Sequence, residues 1–363
     1  MLHAYATHPD GHHVHNNHHV GQKHKVIVRQ SPQNAVNASS FLNGGQLDFK
    51  IEKTSLSTLQ NAYIQVRITN STGAGVTICP IMSTIERIEV YAGNGSTVLT
   101  TITGQELMLQ TGLFLSREEY EQMAPFLGMT TAYGTTGDVI ANGTSVIRYI
   151  PLLSLFSAAK LHLPGLRNEL IVRVIMQQSN FILIAGTHPS VTDVQLILKG
   201  FGEPPSTRNV RLAAYNDPKL PLRIPFLDTI VNRETQTLAV STTYQSTLSS
   251  IRGVVAGLIF TLRPAAFTAA TQNNYQAISS FDLQMASGES LLGHYVRLHE
   301  DQKLENAECY HNLFGNNKDF YVISFSDDLA GDYSTGQNSG FNVMSGTERL
   351  VFTTNSTITP ASY

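Results

Sequence analysis

Residues 85–99 read IERIEVYAGNGSTVL, and a similar stretch, ISSFDLQMASGESLL, follows at residues 278–292, an offset of 193. An acid coincides with an acid at Glu89/Asp282, and apolar residues coincide at the position pairs 85/278, 88/281, 90/283 and 99/292. The same offset lays the strand-like residues 63–68 over residues 256–261. One offset that holds through two strands and the loop between them indicates two copies of one β-domain.

The composition favours β-structure and excludes several classes of function. Of 363 residues, 42% are hydrophobic and only 14% are charged, well under the roughly 25% of a typical soluble domain. Ser, Thr, Asn, Gln and Gly replace the missing charges and suit strands and turns. A surface so poor in charge predicts contacts with neighbouring subunits. The net charge of −3 gives no overall basic field for nucleic acid, and no apolar run approaches the length of a membrane span.

Changes in composition and the positions of Gly and Pro predict four segments. They are a His-rich flexible arm at residues 1–28, a first jelly roll at 29–203, a linker at 204–225 and a second jelly roll at 226–363. The linker begins in the stretch GFGEPPS, residues 200–206. A helix is predicted over residues 104–123, supported by a capping box of Ser116 and Glu119, and a second helical insertion over residues 294–313. Alternating apolar residues predict strands at 47–51, 62–69, 85–92, 146–152, 170–176, 191–198, 226–231, 238–244, 254–263, 278–285, 320–326 and 349–354.

Each half therefore offers short, regularly spaced strands with one helical excursion. This pattern is typical of a β-sandwich, and the halves lack the Cys–Trp–Cys spacing of an immunoglobulin domain. The fold class predicted is all-β, with two tandem eight-stranded jelly rolls and short helical insertions in their loops. Cys79 and Cys309 lie at non-equivalent places in the two halves, so each is expected to be a buried thiol.

No motif of the chain specifies catalysis. A nucleophile elbow, a P-loop, a dinucleotide fingerprint and a zincin helix are all missing from the sequence, so we expect no enzymatic activity, no catalytic residue and no cofactor. A cluster of His294, His299, Glu300, Glu305 and His311 lacks the spacing of a cupin metal site and is interpreted as ordinary helix or loop residues. Asp327, Asp328 and Asp332 are interpreted as solvated loop acids.

The arm leaves three alternatives open. Neutral imidazoles bind Zn²⁺, Ni²⁺ and Cu²⁺, although neither cysteine nor carboxylate spacing specifies a site. The arm is either ordered by neighbouring subunits, or forms a pH- or lipid-sensitive contact, or binds a metal ion. Its candidate metal ligands are His12, His13, His15, His18 and His19.

Two neighbouring stretches carry a family resemblance: YIPLLSLF at residues 149–156 and LHLPGLRNELIVRV at residues 161–174. They match a pattern in which an "I/LPL…F" strand leads through an "LP" turn into a strand that carries "E-L/V-x-V/I". With the tandem β-domains and the helical excursions, the chain resembles the double jelly-roll major capsid proteins of tailless icosahedral viruses. That lineage includes membrane-containing phages, adenovirus-like hexons, virophages, polinton-like viruses and large nucleocytoplasmic DNA viruses.

The resemblance implies a major capsid protein that assembles as a pseudo-hexagonal homotrimer into an icosahedral shell. It implies a location in the virion, assembly inside the host cell, minor capsid or penton proteins as partners, and an arm at the inner base, beside any internal membrane. Loops at 124–145 and 327–345 would face outward, and no sequence-specific nucleic acid binding is expected. Two alternatives are a double jelly-roll enzyme of the glycan amidase kind, with acidic residues clustered between the domains, and a non-capsid carbohydrate- or receptor-binding module.

Overall fold

The protein is described by a computed structural model over most of its length. The described residues are 24–37, 40–54, 56–93, 97–114, 117–129, 137–152, 156, 161–215, 228–292, 297–298, 301, 304, 320–325, 342–355 and 357–362. Antiparallel strands dominate both halves, as expected for an all-β chain. No helix among these residues combines the length and apolarity needed to cross a membrane.

The first repeat consists of two four-stranded sheets and one small sheet. Sheet A has the strand order β1-β11-β3-β8, and sheet B has the order β2-β9-β5-β6; β10-β4-β7 form the small sheet. The strands are β1 (His24–Gln30), β2 (Gln46–Ile51), β3 (Thr58–Thr69), β4 (Val76–Ile78), β5 (Ile85–Ala92), β6 (Thr97–Thr103), β7 (Asp138–Ile140), β8 (Ser145–Leu152), β9 (Leu170–Met176), β10 (Leu183–Ala185) and β11 (Ser190–Gly202).

Strand β9 illustrates why these segments form a sandwich. Its sequence LIVRVIM buries Leu170, Val172, Val174 and Met176 while the residues between them are half-buried on the other side. Because side chains alternate between the two faces of a strand, one face of sheet B packs into the core and the other faces outward. The chain visits the two sheets in the order A, B, A, B, B, A, B, A, which is the connectivity of a jelly roll.

The second repeat has the same connectivity. Sheet C has the order β13-β21-β17-β18, and its partner sheet is divided into the pieces β12-β22-β16 and β15-β19. The strands are β12 (Thr235–Leu238), β13 (Thr243–Thr247), β14 (Gly253–Val255), β15 (Gly257–Thr261), β16 (Arg263–Pro264), β17 (Ile278–Gln284), β18 (Arg297–Leu298), β19 (Phe320–Ser324), β20 (Asn342–Met344), β21 (Arg349–Thr354) and β22 (Ile358–Ser362). The prediction of two tandem jelly rolls is confirmed.

The internal repeat has a direct structural counterpart in strands β5 and β17. The pairing of β5 with β9 shifts register between Ile85 and Arg87, and the pairing of β17 with β21 shifts between Ile278 and Ser280. Both bulges therefore lie at the same point of the 193-residue offset. A bulge changes which side chains of a strand face outward. Because both repeats have the bulge, equivalent side chains of β5 and β17 face the same side of their sheets.

Helices are few and short. The helix predicted over residues 104–123 is observed as α1 (Gly104–Phe114) and α2 (Arg117–Met123), while Ser116 of the capping box lies outside the described residues. Helix α3 (Pro205–Tyr215) lies in the segment predicted as a linker. The "LP" turn is a 3-10 turn at Leu163–Gly165, and further 3-10 turns lie at Ile81–Thr84 and Ser179–Phe181.

Two predicted elements are wrong in the part of the chain that the structure describes, and a third is mixed. The strand predicted at residues 238–244 is two strands, because Ser241 has a φ of 55° and the Tyr244 hydroxyl accepts the Ala239 N–H in the turn. Residues 228–231 form no strand, although one was predicted at 226–231. Within the predicted helical insertion at 294–313, Arg297–Leu298 form strand β18, whereas Asp301 and Leu304 are helical. The end of the predicted arm also contains structure, since β1 begins at His24.

Candidate functional site

The residues singled out for metal chemistry lie outside the described part of the chain. This holds for His12, His13, His15, His18 and His19, for the cluster His294, His299, Glu300, Glu305 and His311, and for Asp327, Asp328 and Asp332. The described residues contain no group of three or more His, Cys, Asp or Glu side chains that could hold a metal ion. The remaining candidates for function are surfaces: the seam between the two barrels, and the outer faces of their sheets.

A buried amide network joins the barrels. Gln272, in the loop that connects β16 and β17, donates through Nε2 to the Phe181 carbonyl at 2.9 Å. Asn273 donates to the Ser83 hydroxyl at 3.0 Å, and the Ala269 N–H donates to the Asn180 carbonyl at 3.2 Å. Gln272 and Asn273 are both almost fully buried. A buried amide without a partner is costly, so these bonds fix how the second repeat sits on the first.

An aromatic and cationic contact flanks this network. Phe267 packs against Phe181 with ring centroids 5.2 Å apart, and the Arg263 guanidinium lies 3.9 Å from the centroid of the Phe267 ring. Arg263 also donates to the Gln272 carbonyl at 3.1 Å. Burial lowers the pKa of Arg263 to about 10, because the charged form loses hydration there. The guanidinium is thus held at the seam by its ring contact and by one backbone acceptor.

Helix α1 and strand β6 form a second polar contact with the segment at residues 228–229. The Thr100 hydroxyl donates to Asp228 at 2.6 Å, and Gln110 donates to the Thr229 hydroxyl at 2.6 Å. Glu106 is buried beside them, and desolvation raises the pKa of its carboxyl. These bonds fix the side chains of residues 228–229, which form no strand, on the first repeat.

One cluster of buried apolar residues crosses the seam, and the second repeat has a further core of its own. The main cluster of buried residues belongs to the first repeat, yet it includes Ala256, Tyr275, Phe320 and Val322 of the second. Tyr275 accepts a hydrogen bond from Gln105 at 3.2 Å, and burial raises the pKa of its hydroxyl. Cys79, which lies in the same region, is buried as predicted, and burial raises the pKa of its thiol. Non-polar burial on this scale makes the two barrels one unit.

The outer face of sheet B carries charges that pair with one another. Arg173 binds Asp48 through two nitrogen–oxygen contacts of 2.9 and 3.1 Å and lies 5.0 Å from the Tyr91 ring. Arg87 donates to Glu89 at 2.8 Å, and Tyr91 donates to Glu89 as well. Burial alone would raise the pKa of Glu89, but the bonds from Tyr91 and Arg87 lower it below its usual value.

The same position of the second repeat is also an acid, but its surroundings differ. Asp282 of β17 accepts hydrogen bonds from Ser290 at 2.6 Å and from Gln284 at 2.9 Å. Val351, rather than an arginine, lies opposite it on β21. The acid shared by the two copies is therefore kept as an outward, hydrogen-bonded residue of this strand, while its neighbours have diverged from charged to neutral.

Several large apolar side chains remain exposed. Val254 of β14 and Val343 of β20 lie directly opposite each other and are 70% and 74% exposed. Ile27 of β1 is 62% exposed. Exposed apolar residues on strands with unpaired edges are typical of protein–protein contacts.

Sequence reasoning missed the seam. The sequence pattern assigns no role to residues 267–273, FTAATQN, which lie between two predicted strands. The available signal was a Gln-Asn pair next to small and aromatic residues in a loop of the second repeat. A Gln-Asn pair in a sequence does not show whether its amides are buried or solvated, because their burial depends on packing against the other repeat.

The chain has the double jelly-roll fold of viral capsid proteins of known structure. No family model matches the sequence, and no curated protein is similar to it. Among solved structures, it is similar to PBCV-1 VP54 fitted into a reconstruction of the virophage Sputnik, with a TM-score of 0.69 and 12% identity over 93% of this chain and 86% of that one. It is similar to the Faustovirus major capsid protein (TM-score 0.64, 9% identity, 96% and 90% covered) and to the STIV major capsid protein (0.51, 14%, 92% and 97%).

Proposed function

We propose that this chain is a viral major capsid protein, located in the virion, that assembles as pseudo-hexagonal homotrimers into an icosahedral shell. The observation that carries the proposal is the seam: two jelly rolls of the same connectivity are joined by a buried apolar cluster that extends from the first into the second. Three such chains would present six similar barrels around one axis, which is a shape that tiles a surface. The solved structures with this fold are described as a virus capsid and as major capsid proteins, which supports the same role.

A structural role, rather than an enzymatic one, agrees with the character of the seam. An enzyme of the glycan amidase kind requires acidic residues gathered in the groove between the barrels. Among the described residues, the contacts across the seam come mainly from amides, hydroxyls and aromatic rings, with Glu106 and Asp228 as the acids of the α1 contact. Minor capsid or penton proteins would then be partners of the assembled shell, and the N-terminal arm would lie at its inner base.

The test is the state of association of the purified chain. Sedimentation velocity and light scattering over a range of concentrations would show a trimer, and electron microscopy of concentrated samples would show hexagonal capsomers, arrays or closed shells. A Gln272→Ala variant tests the role of the seam. Loss of the Gln272 hydrogen bonds should loosen the contact between the barrels and so reduce trimer formation, while each barrel stays folded. A wild-type chain that stays monomeric at every concentration and salt condition would refute the proposal.

A further inference from the structure

The outer face of sheet A carries cations for which the described part of the chain provides no carboxylate within ion-pair distance. In antiparallel strands, residues directly opposite each other point to the same side. The pairs Ile27–Lys199 and Arg29–Ile197 link β1 to β11, and Asp193–Arg67 links β11 to β3. Lys25, Ile27 and Arg29 alternate with the half-buried Val26 and Val28, so their side chains lie on the outer side. We call this surface the basic face: Lys25, Ile27, Arg29, Tyr63, Arg67, Tyr149, Asp193, Gln195 and Lys199; Gln65 and Ile197 lie on the same side but are almost fully buried.

The contacts within the basic face are neutral ones. Arg29 donates to Gln65 at 2.8 Å and to Gln195 at 3.3 Å, and the Lys199 ammonium lies 4.6 Å from the centroid of the Tyr63 ring. Within the described residues, no carboxylate comes within ion-pair distance of Lys25, Arg29, Arg67 or Lys199. Asp193 is the acid of the face, so its four cations leave a formal charge of +3.

Sheet B provides an internal comparison. Its outward charges are paired with one another: Asp48 with Arg173, Glu89 with Arg87, and Lys50 with Glu169. Both sheets belong to one barrel and are exposed to the same solvent, so a general preference for paired surface charges does not explain the basic face. Unpaired cations beside tyrosines and an exposed isoleucine match the composition of contact surfaces, in which Arg and Tyr are enriched.

The second repeat has the complementary charge. Residues 1–203 contain 13 Lys and Arg and 13 Asp and Glu, whereas residues 204–363 contain 11 and 14. The linker at 204–225 contains four bases and one acid, and residues 226–363 contain seven bases and 13 acids, so the second repeat has a net charge of −6. Within residues 300–332, most of which lie outside the described part of the chain, eight acids are accompanied by two bases. A nucleic acid or an anionic lipid surface would meet this acidic half together with the basic face, which weakens the attraction that a basic patch has for either.

We propose that the basic face binds the acidic second repeat of another copy of this chain. The proposal rests on the proposed function and adds to it the surface and the force: an electrostatic contact that aligns the first barrel of one chain with the second barrel of the next. Opposite charges of this kind chiefly raise the rate and the specificity of association. The contact should therefore weaken as salt screens it.

The experiment compares two charge reversals of equal size. The test variant carries Arg29→Glu and Lys199→Glu; the control carries Lys50→Glu and Lys53→Glu, which lie outside the basic face and change the net charge equally. Association is followed by sedimentation and light scattering at about 0.05 M and about 0.5 M NaCl. The test variant should associate at least about tenfold more weakly than wild type at low salt, with a smaller difference at high salt. The control variant should associate as strongly as wild type.

Circular dichroism and urea midpoints establish that each variant is folded. If the charge-reversal variant is not folded, a variant with Arg29→Gln and Lys199→Gln replaces it.

Each outcome decides between defined alternatives. If wild type assembles and the test variant assembles equally well, the basic face is not a contact between copies, and the proposed capsid role stands. If wild type does not associate at all, the capsid role itself fails. Binding to a single-stranded oligonucleotide and to phosphatidylglycerol vesicles is measured in parallel. A test variant that loses either of these while assembling normally would show that the face serves an anionic polymer or a membrane, which overturns the proposal.

Discussion

Replacement of Tyr321 by Phe should destabilise the second barrel through the loss of one hydrogen bond. Tyr321 of β19 is almost fully buried, and its hydroxyl accepts the backbone N–H of Ile278 at 2.9 Å. Its ring stacks on Phe260 with centroids 4.9 Å apart and meets Phe281 edge-on at 5.5 Å. The bond ties strand β19 of one sheet to the start of β17 in the other, next to the bulge shared by both repeats.

The magnitude follows from the burial of the donor. Tyr321→Phe keeps the ring and leaves no large cavity, so the packing with Phe260 and Phe281 is retained. The Ile278 N–H, however, loses its acceptor in a place that water does not reach. A buried donor without a partner costs about 1–3 kcal/mol, and we expect the free energy of unfolding to fall by about 2 kcal/mol. Truncation to Ala would add the loss of ring packing, for a total of about 3–5 kcal/mol.

Tyr244→Phe is the matched control. Its hydroxyl also accepts a backbone N–H, that of Ala239, but in an exposed turn, where water replaces the lost acceptor. Its cost should stay below about 0.5 kcal/mol. Urea denaturation followed by tyrosine fluorescence and circular dichroism gives both free energies. Equal costs for the two substitutions, or a Tyr321→Phe variant as stable as wild type, would refute the claim that this buried bond stabilises the fold.

Three further predictions concern the seam, the charged face and the backbone. Gln272→Ala should lower the stability by about 2 kcal/mol and split a single calorimetric transition into two, since the two barrels lose a buried bond between them. Glu89→Gln should cost about 1 kcal/mol at pH 7; because the folded-state pKa of Glu89 is lowered, this difference should be lost as the pH falls below about 4.5 in urea titrations. Gly200→Ala should lower the free energy of unfolding by about 2 kcal/mol or more, because the added Cβ would lie 2.0 Å from the Thr58 carbonyl oxygen. Gly75 has open space around it, so Gly75→Ala should change the free energy of unfolding, measured by urea denaturation, by under about 0.5 kcal/mol.

Strands with a buried and an outward face were readable from the sequence. Strands β5, β9 and β21 begin and end where alternation predicts them, because each places every second side chain in the core. The offset of 193 likewise identified β3 and β15 as equivalent strands of the two barrels. Local alternation and repeat spacing were sufficient here because both depend on nearby residues.

The failures have physical causes that lie outside the local pattern. Residues 238–244 alternate well enough to suggest one strand, but the positive φ of Ser241 turns the chain between β12 and β13. Nothing in the sequence reports this conformation, because serine rarely adopts it. Residues 228–229 bond to Thr100 and Gln110, more than a hundred positions earlier in the chain. An interaction at such a separation cannot be read from a window of ten residues.

The seam also bears on how the chain would assemble. The first repeat contributes residues 79–84, residues 177–181 and helix α1 to it, and the second contributes the loop at 267–275 and residues 228–229. Within the described ranges, the second repeat offers no counterpart of the Phe181 and α1 contacts, so the two barrels do not meet through identical surfaces. A head-to-tail contact of this kind uses one side of each barrel and leaves the other side for a further copy. The basic face lies on the first barrel, and the excess of acidic residues lies in the second repeat. These charges favour a contact between the first barrel of one chain and the second barrel of the next. If three chains close in this way, six barrels form one ring.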